Sequence, residues 1–235
     1  MDKIYFIAKK ELATQFKSPI AYIILVLTIS IFNIFFFMII DENREASLRD
    51  VFRLMEFMFI FILPLMTMRI FSEEKSAGTM EFLMTSPISN TAIVLGKYAG
   101  ILSFYSIMIG LTFIYYAIIE YFGNPDQITV LTGYFGIWLE GAFFLSIGMM
   151  SSSWASNQIV AAMTSYVILF LLFLATSFAK YFSGSMETVI YQLGTLSHLE
   201  NLVAGIITAG DITYYLSGII LCVVLTRLSI ENRLS

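Results

Sequence analysis

Charged residues are scarce in this chain. Only 13% of the 235 residues are Asp, Glu, Lys or Arg, and 58% are apolar. Soluble domains carry about 25% charged residues, and disordered chains are poor in apolar ones. So few charges could not cover this much apolar surface in water. The composition therefore excludes a soluble single domain and a disordered chain, and it indicates an integral membrane protein.

Several other features are nearly absent. The 13 Lys and Arg are outnumbered by 17 Asp and Glu, so no basic surface suits nucleic acid. Single cysteine and histidine residues, Cys222 and His198, exclude a disulfide framework and a dedicated Cys/His metal cage. The P-loop pattern is also missing, because Lys97 is followed by Tyr98 rather than Ser or Thr. Any nucleotide energy must come from a partner.

Long uncharged runs predict six membrane-spanning helices, each with about 20 mostly apolar residues. The predicted spans are 20–40, 51–71, 96–121, 129–150, 159–179 and 211–229. The second is the weakest, since only 57–68 is free of charge. It can cross only if Arg53, Glu56 and Arg69 lie at the interfaces, and a re-entrant segment is the alternative. The first is too long for a signal peptide.

The distribution of basic residues predicts the orientation. Six spans put both termini on one side, and a cytoplasmic N-terminus places nine basic residues inside and four outside. These are Lys3, Lys9, Lys10, Lys17, Arg69, Lys75, Lys97, Arg227 and Arg233 against Arg44, Arg49, Arg53 and Lys180. This arrangement agrees with the positive-inside rule.

Three segments outside the spans carry patterns of their own. Residues 1–18 predict an amphipathic helix in the headgroup plane, with a plain charged flank as the alternative. In 72–89, Ser72 suits a helix start and Gly78 a corner before a second short helix. That loop would either enter a groove on another protein or rest on lipid. Within 181–210, the apolar piece 199–207 predicts a short helix dipping into the outer leaflet.

Few polar residues fall inside the spans. Glu140 is a charge between long apolar runs, and a carboxylate at the bilayer centre costs about 2.5–3.5 kcal/mol. It could line a conduit, hold a proton, form a salt bridge or only stabilise the bundle. Asn33 is a second intramembrane polar candidate. The Gly96-x-x-x-Gly100 spacing would permit close helix packing.

The loop after the second span carries a family resemblance. Residues 68–89 contain an arginine, two glutamates, a lysine, a Gly-Thr pair, a glutamate and a Pro-Ile-Ser end, in the order MRIFSEEKSAGTMEFLMTSPIS. This resembles the core of ABC-2 type transporter permeases, and the match continues at 93–98, 10–19 and 196–205. The similarity covers essentially the whole chain and is nearest to the short gliding-motility-type permease subfamily. In many relatives a Phe stands where this chain has Leu199.

The resemblance implies a fold and a set of roles. The fold would be an all-α membrane domain over 1–235: a connecting helix at 1–18, six spans, a cytoplasmic coupling loop at 72–89 and an outer gate at 181–210. It makes the second span a true crossing. The residues implied at the ATPase interface are Glu73, Glu74, Lys75, Gly78, Thr79, Glu81, Phe82 and Pro87. Those implied at the outer gate are His198, Glu200 and Asn201.

We therefore expect an ABC exporter subunit that is not itself an enzyme. It would bind no cofactor or metal, with ATP and Mg²⁺ on two copies of a separate ATPase. A second permease copy, a homodimer rather than a heterodimer, would complete the complex in a bacterial cytoplasmic membrane with both termini cytoplasmic. Short outer loops favour an amphipathic or hydrophobic substrate, such as a peptide, lipid or drug.

Two alternatives remain open from the sequence. A stand-alone proton-coupled carrier would use Glu140 and would need no ATPase. An intramembrane enzyme would use His198 and Glu200, although residues two apart do not share a helical face. Neither alternative explains the loop at 72–89.

Overall fold

The computed structural model describes residues 2–43, 45–80 and 88–231, and within these ranges the chain forms helices and no strand. We number the helices in chain order. They are α1 (Asp2–Lys17), α2 (Pro19–Asn43), α3 (Arg49–Thr67), α4 (Ser72–Ser76), α5 (Asn90–Phe122), α6 (Gln127–Trp154), α7 (Gln158–Ala179), α8 (Ser185–Leu193), α9 (Thr195–Val203) and α10 (Ala209–Glu231).

Six helical segments are long and apolar enough to cross a membrane. They are Pro19–Glu42, Arg49–Ser76, Asn90–Phe122, Gln127–Trp154, Gln158–Ala179 and Ala209–Glu231. The prediction of an all-α protein with six spans is confirmed, including the weak second span. We call the end of the bundle that carries both termini the inner end, and the opposite end the outer end.

Helix α6 lies at the centre of the bundle. In the most apolar stretch of α6, 78% of the residues are buried, whereas in that of α2 only 17% are. Helices α3, α5, α7, α9 and α10 all pack against it. Small residues permit this approach: a Cβ atom added at Gly141 would lie 2.1 Å from the Tyr105 hydroxyl, and one at Gly148 would lie 2.0 Å from Thr67 Oγ1. A mostly buried central helix leaves α2, α7 and α10 to face lipid.

Capping side chains set the starts of three spanning helices. Ser89 accepts a hydrogen bond from the Ala92 amide, Asp126 from Ile128 and Asn157 from Val160. Helix α5 thus begins at Asn90, before the start at 96 predicted from charge. The Thr129 hydroxyl, 2.5 Å from Asp126 Oδ2, lowers the pKa of that capping carboxyl group.

The N-terminal helix α1 packs closely against α5. A Cβ atom added at Gly96 would lie 2.6 Å from Ile7 Cβ, and one added at Gly100 would lie 2.6 Å from Glu11 Cβ. The two glycines therefore form the groove that receives α1, as the Gly-x-x-x-Gly spacing predicted. The opposite face of α1 exposes Tyr5.

The outer segment holds two short helices, α8 and α9, where the sequence predicted one at 199–207. Helix α9 begins earlier, at Thr195, and ends at Val203, before Gly205 at a φ of 89°. Leu202 is fully buried and contacts Gly136 of α6. Leu199, Leu202 and Val203 of α9 therefore pack on protein, whereas Ile206 and Ile207 are exposed; the predicted dip into the outer leaflet stays a prediction.

Candidate functional site

The chain turns sharply between α3 and α4 at the inner end. We call residues 68–80 the inner elbow. Helix α3 ends at Thr67, α4 is a five-residue helix, and Gly78 takes a φ of 68°, which L side chains rarely adopt. The Thr79 amide and hydroxyl donate to the Glu74 carbonyl at 2.9 and 3.2 Å. The predicted helix start at Ser72 and the glycine corner are both present.

Part of the predicted coupling loop lies outside the described residues. Glu81, Phe82 and Pro87 belong to that part. Met80, at the end of the described part of the loop, is buried within this chain. Glu73, Gly78 and Thr79 are exposed, whereas Glu74 is half-buried. The exposed surface of the elbow thus comprises some of the predicted residues but not all of them.

A serine of α6 holds the start of the elbow. Ser152 Oγ accepts hydrogen bonds from the backbone amides of Phe71 (3.0 Å) and Ser72 (3.1 Å). Its hydroxyl donates to the Met68 carbonyl at 3.0 Å. One buried side chain thereby satisfies three backbone groups where the chain leaves α3. Ser151, Ser152 and Ser153 are all buried in the last turns of α6.

Two basic residues of the elbow contact the junction between α6 and α7. Lys75 Nζ donates to the backbone carbonyls of Ser153 and, at 3.2 Å, Ala155. Arg69 Nε donates to Gln158 Oε1 at 3.3 Å. A lysine suits this position, because the carbonyls at the end of α6 carry partial negative charge. The elbow is therefore bound to the ends of two spanning helices.

Lys97 joins three segments in the interior of the inner end. Its ammonium group lies 2.7 Å from Glu74 Oε1, 3.7 Å from Glu11 Oε2 and 2.8 Å from the Ile70 carbonyl oxygen. We call Lys97, Glu11 and Glu74 the Lys97 cluster. Since Lys97 is on α5, Glu11 on α1 and Glu74 on α4, this buried charge connects the N-terminal helix to the elbow.

A groove of about 560 Å³ opens between α1 and the elbow. Charges of both signs line it, among them Lys10, Lys17, Arg69 and Glu73. Such a mixed surface suits a protein partner with complementary charges better than a single anion or cation. The groove lies over the Lys97 cluster, so an occupant would contact both structures that Lys97 connects.

The interior contains a pair of acidic residues. Glu140 of α6 is 0% exposed and Glu56 of α3 is 1% exposed. The two side chains interact, yet both Glu140 oxygens and Glu56 Oε1 lack a hydrogen-bond partner among the described residues. We call them the carboxyl pair. The sequence analysis placed Glu56 at a membrane interface, whereas in the structure it is buried in the protein, because α3 turns Glu56 toward α6.

Asn33 makes a separate polar contact. Its side-chain oxygen accepts a hydrogen bond from the Tyr115 hydroxyl at 2.8 Å. This bond joins α2 to α5. The structure therefore gives Asn33 a packing role between two helices and does not bring it to the carboxyl pair.

A second polar cluster lies at the outer end. Asp211, buried at the start of α10, lies 2.7 Å from His198 Nδ1, 3.2 Å from Asn201 Nδ2 and 2.6 Å from the Thr208 hydroxyl. We call these four residues the outer cluster. The predicted gate residues His198 and Asn201 thus share one carboxylate, which the sequence did not single out.

Glu200 points away from the outer cluster. It lies 3.3 Å from Arg53 of α3 and so ties α9 to the outer end of that span. His198 and Glu200 therefore have different partners, and they do not form the hydrolytic pair that the enzyme alternative requires.

The sequence missed four residues that the structure brings into these sites. They are Glu11, Glu56, Ser152 and Asp211. Glu56, Ser152 and Asp211 stand near the ends of apolar runs, and Glu11 follows two lysines in an amphipathic pattern; a solvated position is the ordinary interpretation for all four. The sequence did contain a hint for Lys97, because it follows the apolar residues Ile93, Val94 and Leu95 within the same helix, α5.

The comparisons with known proteins agree with this architecture. A family model described as ABC-2 family transporter protein matches residues 5–231. No curated protein matches the chain. The match extends from α1 to α10 and includes the elbow, both clusters and the carboxyl pair. The chain therefore belongs to the ABC-2 family of transporter proteins, and it is a permease component of an ABC transporter.

Proposed function

We propose that this chain is the membrane subunit of an exporter driven by a separate ATPase, and that the inner elbow is the contact with that ATPase. The observation that carries the proposal is the attachment of the elbow to the bundle. Ser152, Lys75 and Lys97 connect it to α6, the α6–α7 junction and α5. A force applied at the elbow would reach the central helix directly.

The mechanism follows from this attachment. When the ATPase closes on ATP, its surface would push on Glu73, Gly78 and Thr79, the exposed part of the elbow. The hydrogen bonds of Ser152 would pass the displacement to α6, against which α3, α5, α7, α9 and α10 also pack. Movement of α6 would then reorient the bundle from inward to outward access. The ATPase supplies ATP and Mg²⁺ chemistry; this chain positions and moves helices.

The assembly would contain two permease copies and two ATPase subunits, with a homodimer favoured. It would sit in a bacterial cytoplasmic membrane with both termini cytoplasmic, within the gliding-motility-type subfamily. Supporting this orientation, the elbow and α1 carry Lys and Arg at the same end. The substrate would be amphipathic or hydrophobic, because apolar side chains line the surfaces of α3 and α7 around a groove of about 600 Å³.

The test uses the purified complex with its cognate ATPase in lipid vesicles. Gly78→Pro and Glu73→Lys should lower substrate-stimulated ATP hydrolysis while the complex still assembles. Glu187→Lys, an exposed acidic residue of α8 at the outer end, is the matched control and should not change it. Unchanged stimulation in both elbow variants would refute the coupling role. A panel of peptides, lipids and hydrophobic drugs identifies the substrate class.

A carrier that works without an ATPase is the second candidate, and the carboxyl pair is the observation that favours it. It predicts uptake or release driven by a proton gradient in vesicles that contain only this chain. Absence of such transport, together with ATP-dependent transport by the complex, would exclude it.

A further inference from the structure

Among the residues that the structure describes, no cation forms an ion pair with either member of the carboxyl pair. Arg53, one turn from Glu56 on α3, is exposed and lies 3.4 Å from Asp50 and 3.3 Å from Glu200. Helix α7 carries no acidic or basic side chain. Two ionised carboxylates at this depth would repel each other in a medium of low dielectric constant, and the exposed Arg53 would offset this only in part.

Neighbouring hydroxyl groups do not supply hydrogen bonds to the pair. Three tyrosines lie within electrostatic range of it: Tyr105 on α5, and Tyr214 and Tyr215 on α10. Each donates its hydroxyl proton to a backbone carbonyl, at 2.7 Å to Ile137, 2.7 Å to Leu193 and 3.3 Å to Thr195 respectively. Asp211 lies farther out and is occupied by the outer cluster. The buried oxygens of the pair therefore face one another.

We propose that Glu56 and Glu140 form a proton-binding site inside the bundle, which holds at least one proton between the two carboxyl groups when the bundle is closed. A shared proton gives one oxygen a donor and removes a charge, which resolves both the missing partners and the repulsion. A metal ion fits less well, because no group of three or more metal-ligating side chains occurs among residues 2–43, 45–80 and 88–231.

The site would link the transport cycle to pH. Water that enters between α3 and α6 during opening would hydrate the carboxyl groups and let the proton leave. The nearer exit is the outer end, since Glu56 lies one helical turn after Arg53, which pairs with the exposed Glu200 there. Proton binding therefore favours the closed bundle, and a rise in pH favours opening. The site does not depend on the elbow being the ATPase contact.

The test is infrared spectroscopy of the full chain alone in lipid nanodiscs. Protonated carboxylic acids show a carbonyl stretch that carboxylates lack, and exposed Asp and Glu are ionised above about pH 4–5. We expect this band at neutral pH in the wild-type chain, and its loss in the double variant Glu56→Gln/Glu140→Gln. Glu120→Gln, an exposed residue of α5, is the matched control and should keep the band.

The other possible results of this experiment would overturn the proposed proton site. Absence of the band in the wild-type chain at neutral pH overturns the proposal, as does a band unchanged in the double variant. If the double variant fails to fold, each single Gln variant must shift or weaken the band. A band that disappears when Na⁺ or K⁺ is added identifies a metal cation as the occupant and also overturns the proposal. None of these results bears on ATPase stimulation, so the two proposals fail separately.

Discussion

At the scale of single residues, Lys97 has the largest number of charged contacts in the inner end that we describe. Its ammonium group lies within 4 Å of two carboxylates from different helices and donates to a backbone carbonyl. It also lies 5.1 Å from the centre of the Phe71 ring. Removing this charge would leave Glu74 and Glu11 close together without their common cation.

We expect Lys97→Met to destabilise the protein by about 3 kcal/mol, because loss of one member of a buried ion pair leaves the other charge uncompensated. The measurement is thermal or denaturant unfolding of the detergent-purified chain. Lys9→Met, the same change at an exposed lysine of α1, is the control and should have little effect. Equal stability of the two variants would contradict the importance of the Lys97 cluster.

The sequence could identify Glu140 but not its neighbour. A glutamate between long apolar runs is visible without a structure, and so is its high cost in the membrane. Glu56 stands one turn after Arg53 in the first half of α3, a position typical of an interfacial residue. Its burial depends on the rotation of α3 about its own axis, and that rotation is set by packing against α6.

At the scale of elements, the junction of α3, α4 and α6 depends on one hydroxyl group. Ser152→Ala would leave the amides of Phe71 and Ser72 without their acceptor. We expect a loss of about 1–3 kcal/mol in local stability and faster hydrogen exchange at these two amides. Exchange measured by mass spectrometry on the elbow peptide reports the effect.

The control for this variant is Ser103→Ala. The Ser103 hydroxyl is exposed and donates only within its own helix, to the Ala99 carbonyl at 2.7 Å. In Ser103→Ala, hydrogen exchange at the amides of the elbow should match that of the wild type. If Ser152→Ala also leaves it unchanged, the elbow is held by other contacts.

The close packing of α1 on α5 can be tested by substitution of the glycine that permits it. Gly100→Leu should displace α1, because even a Cβ atom there would lie 2.6 Å from Glu11 Cβ. Trypsin should then cleave faster after the lysines of α1 in the detergent-purified chain. Gly110→Leu is the matched control on the same helix, since nothing lies within 4 Å of a Cβ at that position. Equal cleavage rates in the two variants would show that α1 does not need this close contact.

The presence of the helices was easier to predict from the sequence than the residues at which they begin and end. Uncharged runs located all six spans, because a bilayer tolerates few charges. Helix α5 begins at Asn90, before the predicted span at 96–121, and runs through Lys97. That lysine lies inside the protein with carboxylate partners, so its charge says nothing about where the lipid ends. Helix α8 was missed because its residues, exposed along its length, show no long apolar pattern.

At the scale of the whole molecule, the orientation can be tested by labelling. In a Cys222→Ala background, Ser185→Cys on α8 should react with a membrane-impermeant thiol reagent in intact cells. Ser76→Cys on α4 should react only after lysis. Both positions are exposed, so the difference reports the side of the membrane. The reverse pattern would invert the predicted topology and place the elbow outside the cytoplasm.

The central position of α6 also bears on how the protein is made. Chains enter the membrane from the N-terminus, so α3 is inserted before α6 has been synthesised. Until α6 arrives, Glu56 has no neighbouring carboxyl group and no protein interior to occupy. The late fourth span therefore completes the fold: a nascent chain that stops after α5 would lack the helix against which Glu56 is buried.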